Sequence, residues 1–441
     1  DCPGFINGDG CVNGQCVTYS YTNDASLLLP THLLGYNYVV VAADQISERD
    51  PIGGSDQPLS GSMTIVATQD NTTVQVTFAG NTVSTNNSPN CGTKQGNVPA
   101  KQTNQQVLYT LNQGQVLQFF SADTGTPNCV SSLRGNGLQV CLWPNDLTGT
   151  VINSIPSPTG APAQPIAVFG GADCTYKPFN QVACDHIEEE MFPFSTWGKN
   201  YIGVRSHNYA GSSSTYPEFW RIVSACGSNS CPNGATVTIT PAVNNGTARS
   251  NTGVNCNTNG NTTTCNLPPL PAGQTAPWVE FAHSSSFNAV SDQPVVLAQY
   301  HVSESEAGSS TTEGDPDLLM MPPVEQWRTD YAVLAPTTYV HNYLSLMVDG
   351  QDPNNCQTCN SVQVDGAAIN SAEWANIPGT NFWAANHTLC GSGTAGCNAN
   401  HTINSSGPKV GVLVYGWDSY VSYGYTGGLD LQSIVTIPPG G

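Results

Sequence analysis

The stretch CDHIEEEMFPFSTWGKNYIG, Cys184 to Gly203, sets one histidine and three glutamates within five residues. Asp185, Glu188 and Glu189 carry the hard oxygen donors that Ca2+ takes, which makes them a weak calcium candidate. A strand argues against it, because successive strand side chains point to opposite faces and neighbouring glutamates then cannot converge on one ion. A zinc hydrolase needs two imidazoles four residues apart on a helix face, as in H-E-x-x-H, and that spacing is absent. A glycosidase needs two carboxylates at a fixed separation, which spacing in a sequence does not supply. Glu190 therefore reads as a solvated charge, and His186 as a hydrogen-bonded anchor beside a disulfide. No G-x-S-x-G elbow, other recognisable triad context or phosphate-binding GxxxxGK[ST] loop occurs. The acidic run SESEAGSSTTEGDPD, Ser303 to Asp317, reads as a solvated connector. No catalytic residue, cofactor or enzyme activity is expected.

The composition states what positions these residues. Of 441 residues only 10% are charged, while Gly (44) and Pro (31) abound and Ser, Thr and Asn fill whole segments. That is strand-and-turn chemistry. With 11 Lys+Arg against 31 Asp+Glu the net charge is -20, so a nucleic-acid backbone would be repelled. Sixteen cysteines suit an oxidising, extracellular compartment. Cys174/Cys184, Cys226/Cys231, Cys256/Cys265, Cys356/Cys359 and Cys390/Cys397 read as loop-closing disulfides. Cys2, Cys11 and Cys16 leave an odd thiol to pair with Cys91, Cys129 or Cys141. Candidate glycosylation sequons are Asn71, Asn86, Asn245, Asn261, Asn386, Asn400 and Asn404. Without an 18-residue apolar run, no membrane span is expected.

The chain repeats itself. Pro193, Trp197 and Tyr201 recur as Pro323, Trp327 and Tyr331, and in weaker form as Pro30, Leu34 and Tyr38. Each copy precedes paired strand-like runs and then a buried-type strand: AQPIAVFGG, DQPVVLAQY and GPKVGVLVYG. The expectation is an all-β protein of three tandem β-sandwich-like units, 27–172, 173–304 and 305–441, behind a Cys-rich segment 1–26. The recurring Trp and Tyr read as packing rather than as a sugar platform. Leu431 to Ile437 reads as an extra strand that either closes onto the first unit or joins the edge of another copy.

The runs NDLTGTVI, QPIAVFGG, CDHIEEEMFPFSTWG, PPVEQWRTDYAVLAP and GVLVYGWDSYVSYGYTGG resemble the IgGFc-binding domain family of mucus and bacterial secreted proteins, over roughly residues 27 to 428. The resemblance implies a secreted, disulfide-containing surface or matrix protein without known catalysis, and marks Cys184, Asp185, His186 and Glu189 as family-like positions. The chain lacks von Willebrand-type cysteine-rich modules, so crosslinked mucus assembly is not expected of it. Two functions follow as expectations: a structural subunit that binds itself head to tail in a matrix or filament, or a monomeric adhesin for glycans or host protein.

Overall fold

The computed structural model describes residues 10–12, 15–17, 24–49, 57–84, 98–131, 139–158, 160–181, 183–209, 212, 215–244, 247–251, 253–308, 312–391 and 398–435. Among these residues the one α-helix is the four-residue Glu304–Ala307. Everything else regular is strand or single 3-10 turn. The local cause shows in Ala235–Thr240: Ala235, Val237 and Ile239 are buried while the alternating threonines are half-buried, the period of a β-strand with one face inward.

Three groups of antiparallel sheets follow one another along the chain. The N-terminal group pairs a sheet ordered Asn37–Val39, Val151–Ile155, Thr72–Thr77, Gln106–Leu111 with one ordered Asp185–Glu190, Ile166–Thr175, Gly61–Ala67, Val116–Phe120. A third, smaller sheet beside them carries Gln45–Arg49 and Gln139–Trp143, over a minor core of Ile46, Leu59, Val140 and Tyr176. The central nine-stranded sheet is organised by Phe287–Tyr300, whose 14 residues bond to four other strands. The C-terminal group joins a five-stranded sheet around His341–Asp349 to a four-stranded one around Asn400–Ser405. One apolar core runs from the first group through the second into the third, where Trp327, Tyr343 and Trp417 belong to it.

One local device occurs three times. Pro30, Pro193 and Pro323 each precede a 3-10 turn, and a tyrosine follows eight residues after each proline. The Tyr38 hydroxyl receives Gly35 N–H at 2.7 Å and donates to Ile166 O at 2.8 Å. Tyr201 receives Gly198 N–H and donates to Val295 O at 2.6 Å; Tyr331 does the same between Arg328 N–H and Val410 O. Each buried phenol thus uses both its donor and its acceptor to pin a turn to a sheet strand. The indole N–H groups of Trp197 and Trp327 donate to Phe192 O and Pro322 O, both at 3.2 Å. The aromatic residues are buried packing elements.

The turns also touch one another. A Cβ on Gly35 would sit 2.6 Å from Pro193 Cβ, and one on Gly198 would collide with Pro323, so each glycine admits the next turn's proline. The strands Asp185–Glu190, Leu318–Met320 and Val421–Thr426 then meet at a common axis. There Ser422 N–H donates to Asp185 Oδ2 and the Thr426 hydroxyl donates to Met320 O. Ala25 packs on the C-terminal core. The sheet groups therefore close on themselves rather than forming an open row.

Two details differ from the sequence reading. The 172/173 division falls inside the strand Ile166–Thr175, which is hydrogen-bonded to the strand that follows it. Residues 427–435 form no strand. Ile434 and Val435 instead donate their N–H groups to Ser195 O at 2.7 and 2.9 Å, and Gln326 binds the Gln432 main chain, so this segment is strapped across two 3-10 turns of its own chain. Residues 436 and 437 lie outside the described part.

Candidate functional site

Asp185–Glu190 is a strand, and its alternation separates the proposed ligands: Asp185 and Glu189 face inward, whereas His186 and Glu188 are partly exposed on the other face. Four residues of strand place Asp185 about 13 Å from Glu189 along the chain. Among the described residues no group of three His, Cys, Asp or Glu side chains is placed to hold a metal ion. Glu190 is not solvated: it is buried, its Oε2 accepts Leu29 N–H at 2.7 Å, and burial pushes its pKa up to about 7. Ser26 donates to Glu189 Oε2 and Asp24 Oδ2 accepts Glu188 N–H. The cluster is thus the seam by which residues 24–29 are fastened to the axis. Burial and the nearby Asp317 carboxylate raise Asp24 well above the ordinary carboxyl range, and burial and Asp24 do so for Glu189.

The two ends of the run Ser303 to Asp317 are not solvated, since Ser303, Asp315 and Asp317 are all buried. Asp317 completes an arrangement that motif reading missed. Ser206 Oγ lies 2.6 Å from His301 Nε2, and His301 Nδ1 lies 2.7 Å from Asp317 Oδ1. Three residues spaced 95 and 16 apart on separate loops and a strand end carry no local signature. The connectivity is that of a serine hydrolase triad, but the surroundings are not. The three residues are 3%, 1% and 0% exposed, beside the Tyr415 and Trp417 rings. Ser206 N–H points at the Glu218 carboxylate, an anion where an acyl-transfer enzyme needs donors for an oxyanion. Burial disfavours charge on His301, yet Asp317, with Glu218 behind it, outweighs burial and holds the imidazole pKa above its ordinary value. The raised pKa favours the doubly protonated ring, a form that cannot take a proton from serine.

A second buried cluster joins the first and central sheet groups. Arg221 reaches Asp44 (3.1 Å), Asp146 (2.8 Å) and Glu280 (2.7 Å); Lys177 reaches Glu280 at 2.6 Å, and Arg249 binds Asp44. The Arg221 guanidinium stacks 4.5 Å from the Trp278 ring. Three cations thus meet three carboxylates. Burial alone would raise Glu280, but Lys177 and Arg221 bring it down to about 2, whereas burial exceeds the help of Arg221 at Asp146 and leaves it at about 6. Both ionisable clusters cross contacts between sheet groups; Ser206, His301 and Asp317 are enclosed, whereas Asp146, at the rim of the second cluster, lines an open cleft together with Trp278.

A protein-family model described as IgGFc binding protein matches residues 24–416. The chain belongs to the IgGFc-binding protein family. No curated protein matches it, and no solved structure does. This family is not known for enzymes, and membership suggests an extracellular binding or structural protein. No helix among the described residues is long and apolar enough to cross a membrane.

In this family member, disulfides join Cys174 to Cys184, Cys226 to Cys231, Cys256 to Cys265 and Cys356 to Cys359. Cys129 and Cys141 pair with each other across two strands, which removes both as partners for the odd N-terminal thiol. Cys11 and Cys16 face each other in register on a short hairpin. Cys390 is disulfide-bonded; Cys397, Cys2 and Cys91 lie outside the described residues. Asn71, Asn261, Asn400 and Asn404 are exposed. Asn386 is engaged at both ends of its amide, donating to Arg205 O at 2.8 Å and accepting from Ser345 at 2.6 Å. Asn86 and Asn245 lie outside the described residues. Open clefts occur where sheet groups meet. One of about 500 Å3 lies between His207 and Glu373, and another of about 480 Å3 between Asn104 and Trp278.

Proposed function

We propose that this protein is an extracellular, non-catalytic structural subunit: three β units closed into one rigid body that associates with further copies of itself. The observation that supports this most is where its reactive side chains go. Ser206, His301 and Asp317, and the Asp44, Lys177, Arg221 and Glu280 cluster, are all buried at contacts between sheet groups. Side chains capable of chemistry act there as rivets. What remains outside is a surface of loops, short edges and disulfide-stapled turns, suited to contact with other macromolecules. Electron microscopy of protein isolated from its native source tests the reading: ordered polymers are expected, and dispersed particles at every concentration would overturn it.

One observation favours a second reading, a monomeric recognition module for an extracellular protein or glycan. The segment around Ile434 is held by its own chain, which is what a monomer requires of a tail not donated to a neighbour. The family's name points to antibody Fc as one protein to try. Immobilised Fc that retains the protein, together with a monomeric mass in solution, is the outcome expected of this second reading. Removal of the residues after Gly428 bears on both, since a strap held in cis predicts a lower melting temperature for the shortened monomer.

A further inference from the structure

The segment that carries Ile434 and Val435 lies on a shelf with a definite construction. Its acceptor is Ser195 O, the middle carbonyl of the 3-10 turn after Pro193, and its apolar side chains line a small cavity with Phe194, Lys199, Gln293 and Pro294. The same construction recurs at the other end of the chain. Leu33 N–H closes onto Pro30 O as Thr196 N–H closes onto Pro193 O, so His32 takes the place of Ser195. Tyr38 binds Ile166 O as Tyr201 binds Val295 O. The residues before those carbonyls are Gln164–Pro165 in one case and Gln293–Pro294 in the other. Tyr36 falls where Lys199 stands.

The two shelves differ in what covers them. His32 O receives no main-chain N–H from the described residues. Leu28 is 67% exposed and Tyr36 47%, and Thr31 and His32 are exposed between them. In a chain with 31 carboxylates, residues 27–38 contain none. Local repulsion therefore does not oppose a second copy of this acidic chain here, although its overall charge does at long range. We propose that this shelf receives residues 430–435 of a second copy, with the N–H groups of its Ile434 and Val435 on His32 O and its apolar side chains against Tyr36 and Pro165. Each such segment then has two seats, Ser195 on its own chain or His32 on a neighbour. Because the second seat lies on a different surface of the next copy, the contact is head to tail and propagates. This proposal rests on the self-association reading and names the surface that carries it.

The probe is a synthetic peptide of residues 429–436 with a photo-crosslinking residue in place of Ile434, added to the full-length disulfide-bonded protein. Cross-links to the Leu28–Tyr36 or Gln164–Pro165 segments are expected. Tyr36→Asp, and independently Leu28→Asp, should weaken this binding and the concentration-dependent association of the full chain at least tenfold, with melting temperature unchanged. Added salt should strengthen association by screening the net charge. Cross-links confined to the Ser195 and Gln293 region, or no saturable binding, overturn the proposal. So does association that Tyr36→Asp leaves unchanged, an outcome in which self-assembly itself still stands. Full-length protein that remains monomeric throughout overturns both.

Discussion

His301 Nδ1 lies 2.7 Å from Asp317 Oδ1, a contact sealed inside the junction between the central and C-terminal sheets. Its third member, Ser206, is held at 2.6 Å yet has no route to a substrate carbonyl. We expect no labelling of Ser206 by a fluorophosphonate probe and no esterase activity. His301→Asn should cost about 3–5 kcal/mol in urea unfolding, because it strands the Asp317 charge in the interior. Labelling of Ser206 in the folded protein would show that the site opens.

Arg221 is the hub of the other cluster, so Arg221→Met leaves Lys177 and Arg249 to face three carboxylates. Unfolding measurements should show a loss of about 3–5 kcal/mol. Arg221→Lys should recover only part of it, since lysine keeps the charge but neither the multiple donors nor the stacking on Trp278.

Glu190 binds its proton more tightly in the folded chain, near pH 7, than in the unfolded one, near 4.5. The folded state therefore holds more protons between those values. The stability this contributes is full below pH 4.5 and is lost as pH rises through 7. His301, also raised, acts in the same direction, with its contribution full below the ordinary imidazole value. Melting temperature should fall from pH 5 to 8. Glu190→Gln, which mimics the protonated form, should flatten the slope by roughly 2 kcal/mol at pH 8. A slope unchanged by this substitution would place the titrating groups elsewhere.

Trp197→Ala and Trp327→Ala each remove a buried indole at corresponding turns, and each should destabilise the protein by about 3–5 kcal/mol. Variants that melt like the parent but lose a glycan or protein partner would instead make these rings a binding platform.

Expression in a eukaryotic secretory host separates the sequons. Asn71 and Asn261, exposed at turns, should carry glycan by peptide mass spectrometry, whereas Asn386 should be unmodified in folded protein, because a glycan on its Nδ2 would break the bond to Arg205 O.

What was legible in the chain was what repeats or what strand periodicity dictates. Pro193, Trp197 and Tyr201 could be found because Pro323, Trp327 and Tyr331 repeat them, and the all-β class followed from Gly, Pro and Thr usage. The burial of Glu190 and Asp317 was not legible. A charged side chain is by default a surface residue, and only closure of the axis, which brings residues 24–29 beside residue 188 and Ser422 beside Asp185, puts these carboxylates inside. The Ser206, His301 and Asp317 arrangement was hidden for the same reason: its members meet through tertiary contacts alone. The strap at 430–435 has the alternating apolar residues of a strand, but its N–H groups find Gln326 and Ser195 on two 3-10 turns instead of a sheet edge.

Closure of the axis also has a mechanical meaning. The Asp24 carboxylate is bonded by the Gly424 main chain, so the extended segment 24–29 and the strand Val421–Thr426 lie side by side there. A tensile pull applied at these two points would not stretch the three sheet groups in series. It would peel the 24–29 seam from Asp185–Glu190 one bond at a time, Asp24 first and then Ser26 and Leu29, while the sheets behind stayed unloaded. Spliced into a longer polymer, such a body would open like a clasp, at its seam before its sheets.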